Sequence, residues 1–177
     1  PSELIIPAEI DGFSPTIIGA EAFRENNLTS VTLPDTLRRI DYSAFQNNQL
    51  LSINIPDSVT DGIGSRAFAG NNLVSVILPE NLAALGGSAF DSNQITSVNL
   101  PVGISILFSG VFRENQLTGS ITIPDGITAI EEDAFLGNNI SIIRFKGNRP
   151  SINSSSFSGN SIQNIYYCAG KIGWPGE

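Results

Sequence analysis

The chain has 177 residues, 41% of them apolar, and a net charge of −8 from 17 acidic and 9 basic side chains. That apolar content excludes a disordered chain, and the acidic balance argues against nucleic acid or anionic lipid as partners, since both need cationic neutralisation. One cysteine, Cys168, and no histidine exclude an intrachain disulfide framework and remove the commonest general base and metal ligand. No apolar run reaches the roughly 18 residues of a membrane-spanning helix, and no charged-then-apolar leader opens the residues given.

Residues 1–22 read as an irregular first unit. Leu4-Ile5-Ile6-Pro7 has the form of a strand end. The 16 residues from Pro7 to Phe23, against 11 from Pro34 to Phe45, mark an insertion. Ile10, Phe13, Ile17 and Ile18 are expected to supply its apolar contacts. Terminal units of a repeat array are commonly irregular because they cover an otherwise open core.

From Phe23 onward the chain repeats itself. Phe recurs at Phe23, Phe45, Phe68, Phe90, Phe112, Phe135 and Phe157, every 22 or 23 residues. Such a period is the signature of a solenoid. Five residues before each Phe stands an aliphatic: Ile18, Ile40, Ile63, Leu85, Leu107, Ile130 and Ile152. Three residues after each Phe stands Asn: Asn26, Asn48, Asn71, Asn93, Asn115, Asn138 and Asn160. The stretch that follows, such as Leu28-Thr29-Ser30-Val31-Thr32-Leu33, alternates over its second half and is rich in β-branched residues, so it reads as a strand. Pro34, Pro56, Pro79, Pro101 and Pro124 end these strands, because proline has no N–H for a ladder. An acid follows at Asp35, Asp57, Glu80 and Asp125, which is turn chemistry.

The return to the next Phe is short and mixed, and is expected to be 3₁₀ or irregular, with room for one helical turn. Neither leg can bury its apolar side alone, so the units must stack, with a parallel sheet along one side and the Phe column as an internal spine. The Asn column is read as structural, its amides satisfying backbone groups in the turn of their own and the next unit. Extra residues near Asp61-Gly62 and at Gly119 or Ser120 lengthen two units, and glycine inside a strand predicts a bulge. The regular repeats span 23–165. The tail 166–177, with Tyr166, Tyr167, Gly173 and Trp174, leaves the pattern and reads as a C-terminal cap or its start, within a single domain 1–177.

Two columns of strand residues should face outward. The first is Ser30, Ser52, Ser75, Ser97, Ser120, Ile142 and Asn164. The second is Thr32, Asn54, Ile77, Asn99, Thr122, Arg144 and Tyr166. Most are small and uncharged, as on a solvated face. Towards the C-terminus, Asn99, Thr122, Ile142, Arg144 and Tyr166 are the candidate ligand-binding residues, because Tyr and Arg are enriched where interfaces carry their energy. No catalytic, cofactor or metal residues are expected. The densest acids, Glu131-Glu132-Asp133, fall on a return leg as a solvated run, and the Pro-acid column reads as turn chemistry ahead of a calcium edge.

These units resemble the BspA-type leucine-rich repeats, whose pattern runs Ile-x-x-x-Ala-Phe, then Cys or Asn, then Leu-x-x-Ile-x-Ile-Pro. The tail is similar too, through Ile165-Tyr166-Tyr167, Ala169-Gly170 and Gly173-Trp174. The resemblance covers residues 4 to about 167. It implies a leucine-rich repeat solenoid of about seven units, in a bacterial or sometimes protist protein that is secreted or on the cell surface. It implies adhesion or protein binding, and offers no catalytic residues to carry over. The expected partner is a protein, such as a host extracellular-matrix or other surface protein, or a glycan. The alternative role is a structural spacer in a larger surface protein.

Overall fold

A computed structural model describes residues 2–174. The chain winds into a coil of about seven turns, with no helix among the described residues. In chain order the strands are β1 (Glu3–Ile5), β2 (Ile17–Ile18), β3 (Ser30–Thr32), β4 (Arg39–Ile40), β5 (Gly62–Ile63), β6 (Ile106–Leu107), β7 (Thr118–Ile123), β8 (Ala129–Ile130), β9 (Asn139–Phe145), β10 (Ser151–Ile152) and β11 (Asn164–Tyr167).

The strand expected after the Asn forms in the first of the repeated units, as β3, and in the last three, as β7, β9 and β11, whereas the corresponding extended legs 50–55, 73–78 and 95–100 are not assigned as strands. The return leg starts with a tight turn at the Pro-acid pair: Leu37 N–H donates to Pro34 O at 3.1 Å, and Leu82 N–H to Pro79 O at 3.1 Å. It then adds something the sequence reading lacked. Short strands form there, ordered β2-β4-β5 and β6-β8-β10, all parallel. The aliphatic five residues before each Phe fixes their register, as Ile18↔Ile40↔Ile63 and Leu107↔Ile130↔Ile152. Identical legs stacked at identical height pair with the neighbouring turn, so no helical turn of their own is needed to satisfy the backbone.

The spine forms as expected. Phe45, Phe68, Phe90, Phe112 and Phe135 are fully buried. Successive rings from Phe23 to Phe157 stack with centroids 5.1–5.8 Å apart and planes within 14°. Each buried ring contributes roughly 1.5–3 kcal/mol relative to exposure. Beside them runs the Asn ladder. Asn93 Nδ2 donates to Phe68 O (3.0 Å) and Phe90 O (3.2 Å), and its Oδ1 accepts from Leu73 N–H (3.0 Å). Asn48, Asn71, Asn138 and Asn160 bond in the same way. The amide therefore serves its own and the preceding unit, where the sequence reading named the next; its position at the start of the extended leg leaves the earlier turn within reach. From Phe23 to Phe135 the turn that carries each Phe also takes left-handed backbone two residues before and two after it, as at Ser88 (φ 55°) and Ser92 (φ 55°).

Two further expectations are modified. The sheet along the extended legs is continuous only at its ends, as β1-β3 and as β7-β9-β11. Between them the legs share the bonds nearest the Asn, such as Gln94 N–H to Leu73 O (2.9 Å), and a bridge between Val76 and Val98. The spine already fixes the spacing of these turns, so side-chain packing suffices. In the first unit, Ile10 and Phe13 pair across a tight hairpin. Ile10, Phe13 and Ile17 are exposed, Phe13 by 78%, and of the four residues expected to supply contacts only Ile18 is buried. A hairpin whose tip is Asp11-Gly12 is too short to reach back over the core.

In the tail, Trp174 is buried, stacks on Tyr167 (4.9 Å, 4°), tilts against Phe145 (4.7 Å), and donates its Nε1–H to Gly147 O at 3.2 Å. Arg149 N–H donates to Ile172 O at 3.0 Å. Pro175 to Glu177, the rest of the segment read as a cap, lie outside the described residues.

Candidate functional site

Four of the five candidate residues share the outer face of β7-β9-β11. Parallel pairing sets Ser120 beside Ile142 beside Asn164, and Thr122 beside Arg144 beside Tyr166. Arg144 lies over the Tyr166 ring, 4.8 Å from its centroid, and donates from Nε to Ser120 Oγ at 3.2 Å. This cation–π contact and hydrogen bond hold a long side chain in one pose, which lowers the ordering cost of binding. Tyr166 is 49% exposed, Thr122 and Arg144 are exposed, and Ile142 is half-buried beside them. Four of the five candidates therefore form one patch. Asn99 stands apart. Its Oδ1 accepts from Leu78 N–H (3.1 Å) and its Nδ2 donates to Leu78 O (3.0 Å), replacing a missing piece of the main-chain ladder.

Between Asn99 and this patch the solenoid forks. Thr118 N–H still donates to Thr96 O at 3.2 Å. Directly afterwards the register of β7 shifts between Gly119 and Ser120, with Gly119 at φ 71°. Beyond that bulge no main-chain hydrogen bond joins 97–101 to 119–124 among the described residues. A cleft of about 590 Å³ opens there, lined by Val98, Asn99, Leu100 and Val102 on one wall and Ser120, Thr122 and Pro124 on the other, with Asp125 and Lys146 at the rim. The inward aliphatic pairs of neighbouring legs, Ile53 and Ile55, Val76 and Leu78, Ile121 and Ile123, are buried, whereas Val98 and Leu100 are half-exposed. The glycine-marked extra residue signals the bulge in sequence; the cleft it opens was not foreseen.

Charge is distributed unevenly around the cleft. Asp125 is paired with Lys171 at 2.9 Å. Arg144 on β9 and Lys146, just past its end, are exposed, and neither has an ion-pair partner among the described residues. Elsewhere Arg113 forks onto Asp91 at 3.0 and 2.9 Å, and this carboxylate pushes the guanidinium above its usual value, first by hydrogen bonding and then by charge. Of the acidic run, Glu131 accepts from Ser109 N–H at 3.1 Å. Among the described residues no three acidic or cysteine side chains gather as a metal-holding group. No helix among them is long and apolar enough to cross a membrane.

Comparison with known proteins gives the fold a family. No match is found among curated proteins. Solved structures do match. A leucine-rich cell surface protein from Faecalibacterium prausnitzii A2-165 superposes with a TM-score of 0.51 at 22% identity, over 94% of this chain and 60% of its own. The leucine-rich repeat protein TpLRR of T. pallidum gives 0.53 at 23% identity, over 81% and 72%. The pneumococcal vaccine antigen PcpA gives 0.54 at 16% identity, over 94% and 57%. The chain thus spans about 60% of the length of the first of these. Leucine-rich repeat proteins of this kind are generally non-enzymatic. The model of the BspA type leucine rich repeat region matches in 6 copies, over residues 16–138 and 105–172, and the chain belongs to that family.

Proposed function

We propose that this chain is a non-catalytic protein-binding module of a secreted or cell-surface protein, and that Thr122, Ile142, Arg144 and Tyr166 form its contact patch, with Asn99 at its margin. The observation that carries this reading is the Arg144–Tyr166 pair, held in register on a three-stranded face yet open to solvent. A preordered Arg and Tyr side by side are the residue types that dominate interface energetics. The family and the cell-surface designation of the F. prausnitzii protein support the location. The partner class is a protein, such as a host extracellular-matrix or other surface protein, or a glycan.

The test is a binding screen against immobilised extracellular-matrix proteins and a glycan array. Saturable binding that falls at least tenfold in the Arg144→Ala/Tyr166→Ala variant, with unchanged thermal melting, is the expected result. Binding that survives both substitutions overturns this placement. A blank on both panels moves the chain to the spacer role.

A further inference from the structure

We propose that the fork between Asn99 and β7 is a strand-addition site that takes an extended, acidic peptide segment of a partner protein. The inference deepens the binding-module reading above and rests on it. Three observations carry it.

The first is an open strand edge. Lys146 N–H donates to Ile123 O at 3.0 Å, and Thr122 lies opposite Arg144 in the β7–β9 ladder. Main-chain groups of alternate residues point to opposite sides of a parallel strand. The N–H and C=O of Ile121 and Ile123 therefore serve β9, and those of Ser120 and Thr122 face the cleft. No backbone partner is present for them among the described residues. An unpaired edge of this kind is a template for another strand.

The second is space of the right kind. The cleft volume of about 590 Å³ is room for roughly three to four residues of strand at a 3.3 Å rise, 4.8 Å lateral spacing and 10 Å depth. Its far wall is Val98 and Leu100, half-exposed where their counterparts in neighbouring turns are covered. An incoming strand would cover them with every second side chain.

The third is charge. In a chain of net charge −8, the cations at this site, Lys146 at the rim and Arg144 beside it, lack a carboxylate among the described residues, while the rim acid Asp125 is neutralised by Lys171. That complementarity selects an acidic segment.

The experiment uses the whole chain and a panel of blocked octapeptides of alternating Val and Thr, each with two Asp at its start, middle or end. Matched controls carry Lys in place of Asp, or N-methyl groups on alternate residues. Binding is followed by fluorescence polarisation, and amide exchange by NMR. In the free protein the Thr122 amide should exchange faster than that of Ile123. An acidic peptide at saturation should slow exchange at Ser120 and Thr122 at least tenfold. N-methylation should weaken that peptide at least tenfold, and Lys146→Glu at least threefold, without altering the melting temperature. Equal binding of N-methylated and parent peptides overturns strand addition, as does absence of saturable binding by every acidic member. If the peptides fail while a ligand from the matrix or glycan screen still depends on Arg144 and Tyr166, the sheet-face reading stands and strand addition falls. If the peptides bind as expected and that screen is blank, the cleft is the site and the Arg144–Tyr166 patch is not.

Discussion

The spine and the extended legs are built from the same repeats, yet they behave differently. At every step from Phe23 to Phe157 the ring stack is maintained, with spacings that differ by less than 1 Å. The turn backbone is bonded to the next turn alongside it, as Phe45 N–H to Ala67 O and Phe90 N–H to Val111 O. The extended legs pair as sheets at both ends of the coil, share only the bonds nearest the Asn in between, and open into a cleft after Thr118. Once the spine holds the turns together, the opposite side is free to vary. Variation in a solenoid belongs where it does not break the nearest-neighbour contacts that sum to its stability. The face that varies is the one carrying the candidate site.

Breaking the spine should have the largest effect. Asn93→Ala strips partners from the buried Leu73 N–H and the carbonyls of Phe68 and Phe90. At about 1–3 kcal/mol for each of these three unsatisfied groups, the loss should be roughly 3–9 kcal/mol in urea unfolding. A loss below about 1 kcal/mol would show that water replaces the amide and that the ladder is not what aligns the turns.

A matched pair of truncations separates the two regions more finely. Leu78→Ala, at a position 1% exposed, should cost about 2–5 kcal/mol as a buried large-to-small change. Leu100→Ala is the same change one turn later in the repeat, at a partly buried position on the wall of the cleft, and should cost less, about 1–2 kcal/mol, because less apolar area is uncovered. Equal losses would mean that the cleft is closed in solution.

Arg113→Ala should have the smallest effect. It removes a forked ion pair whose side chains are 42% and 13% exposed. Solvent screening limits the cost to about 0.5–1 kcal/mol. Raising the salt concentration should shrink the difference between this variant and the parent protein.

Much of this protein was legible from its period. The Phe spacing dictated the spine, the invariant Asn dictated a ladder, and the Pro-acid pair dictated the tight turn that follows each extended leg. These features involve a unit and its immediate neighbour, and identical units must meet in identical ways. The outer columns were legible for the same reason, and so Thr122, Ile142, Arg144 and Tyr166 could be expected on one face. The return-leg ladder was missed because two-residue strands have no periodicity of their own to read. Phe13 misled because a side chain that looks like core has to be carried back to the core by its backbone, and the hairpin at Asp11-Gly12 does not do that.

By itself the sequence determined the solenoid, its family and the face its candidate residues share, because each follows from a repeating pattern and contacts between adjacent turns. Tertiary structure alone decided that Asn99 turns to Leu78, that Arg144 settles on Tyr166 and Ser120, and that a cleft beside the extra residue at Gly119 leaves Val98 and Leu100 only partly buried. The physical reason is that an insertion specifies only added length. Whether that length bulges outward, slips the register or opens a cleft depends on how tightly the neighbouring turns are already held by their spine.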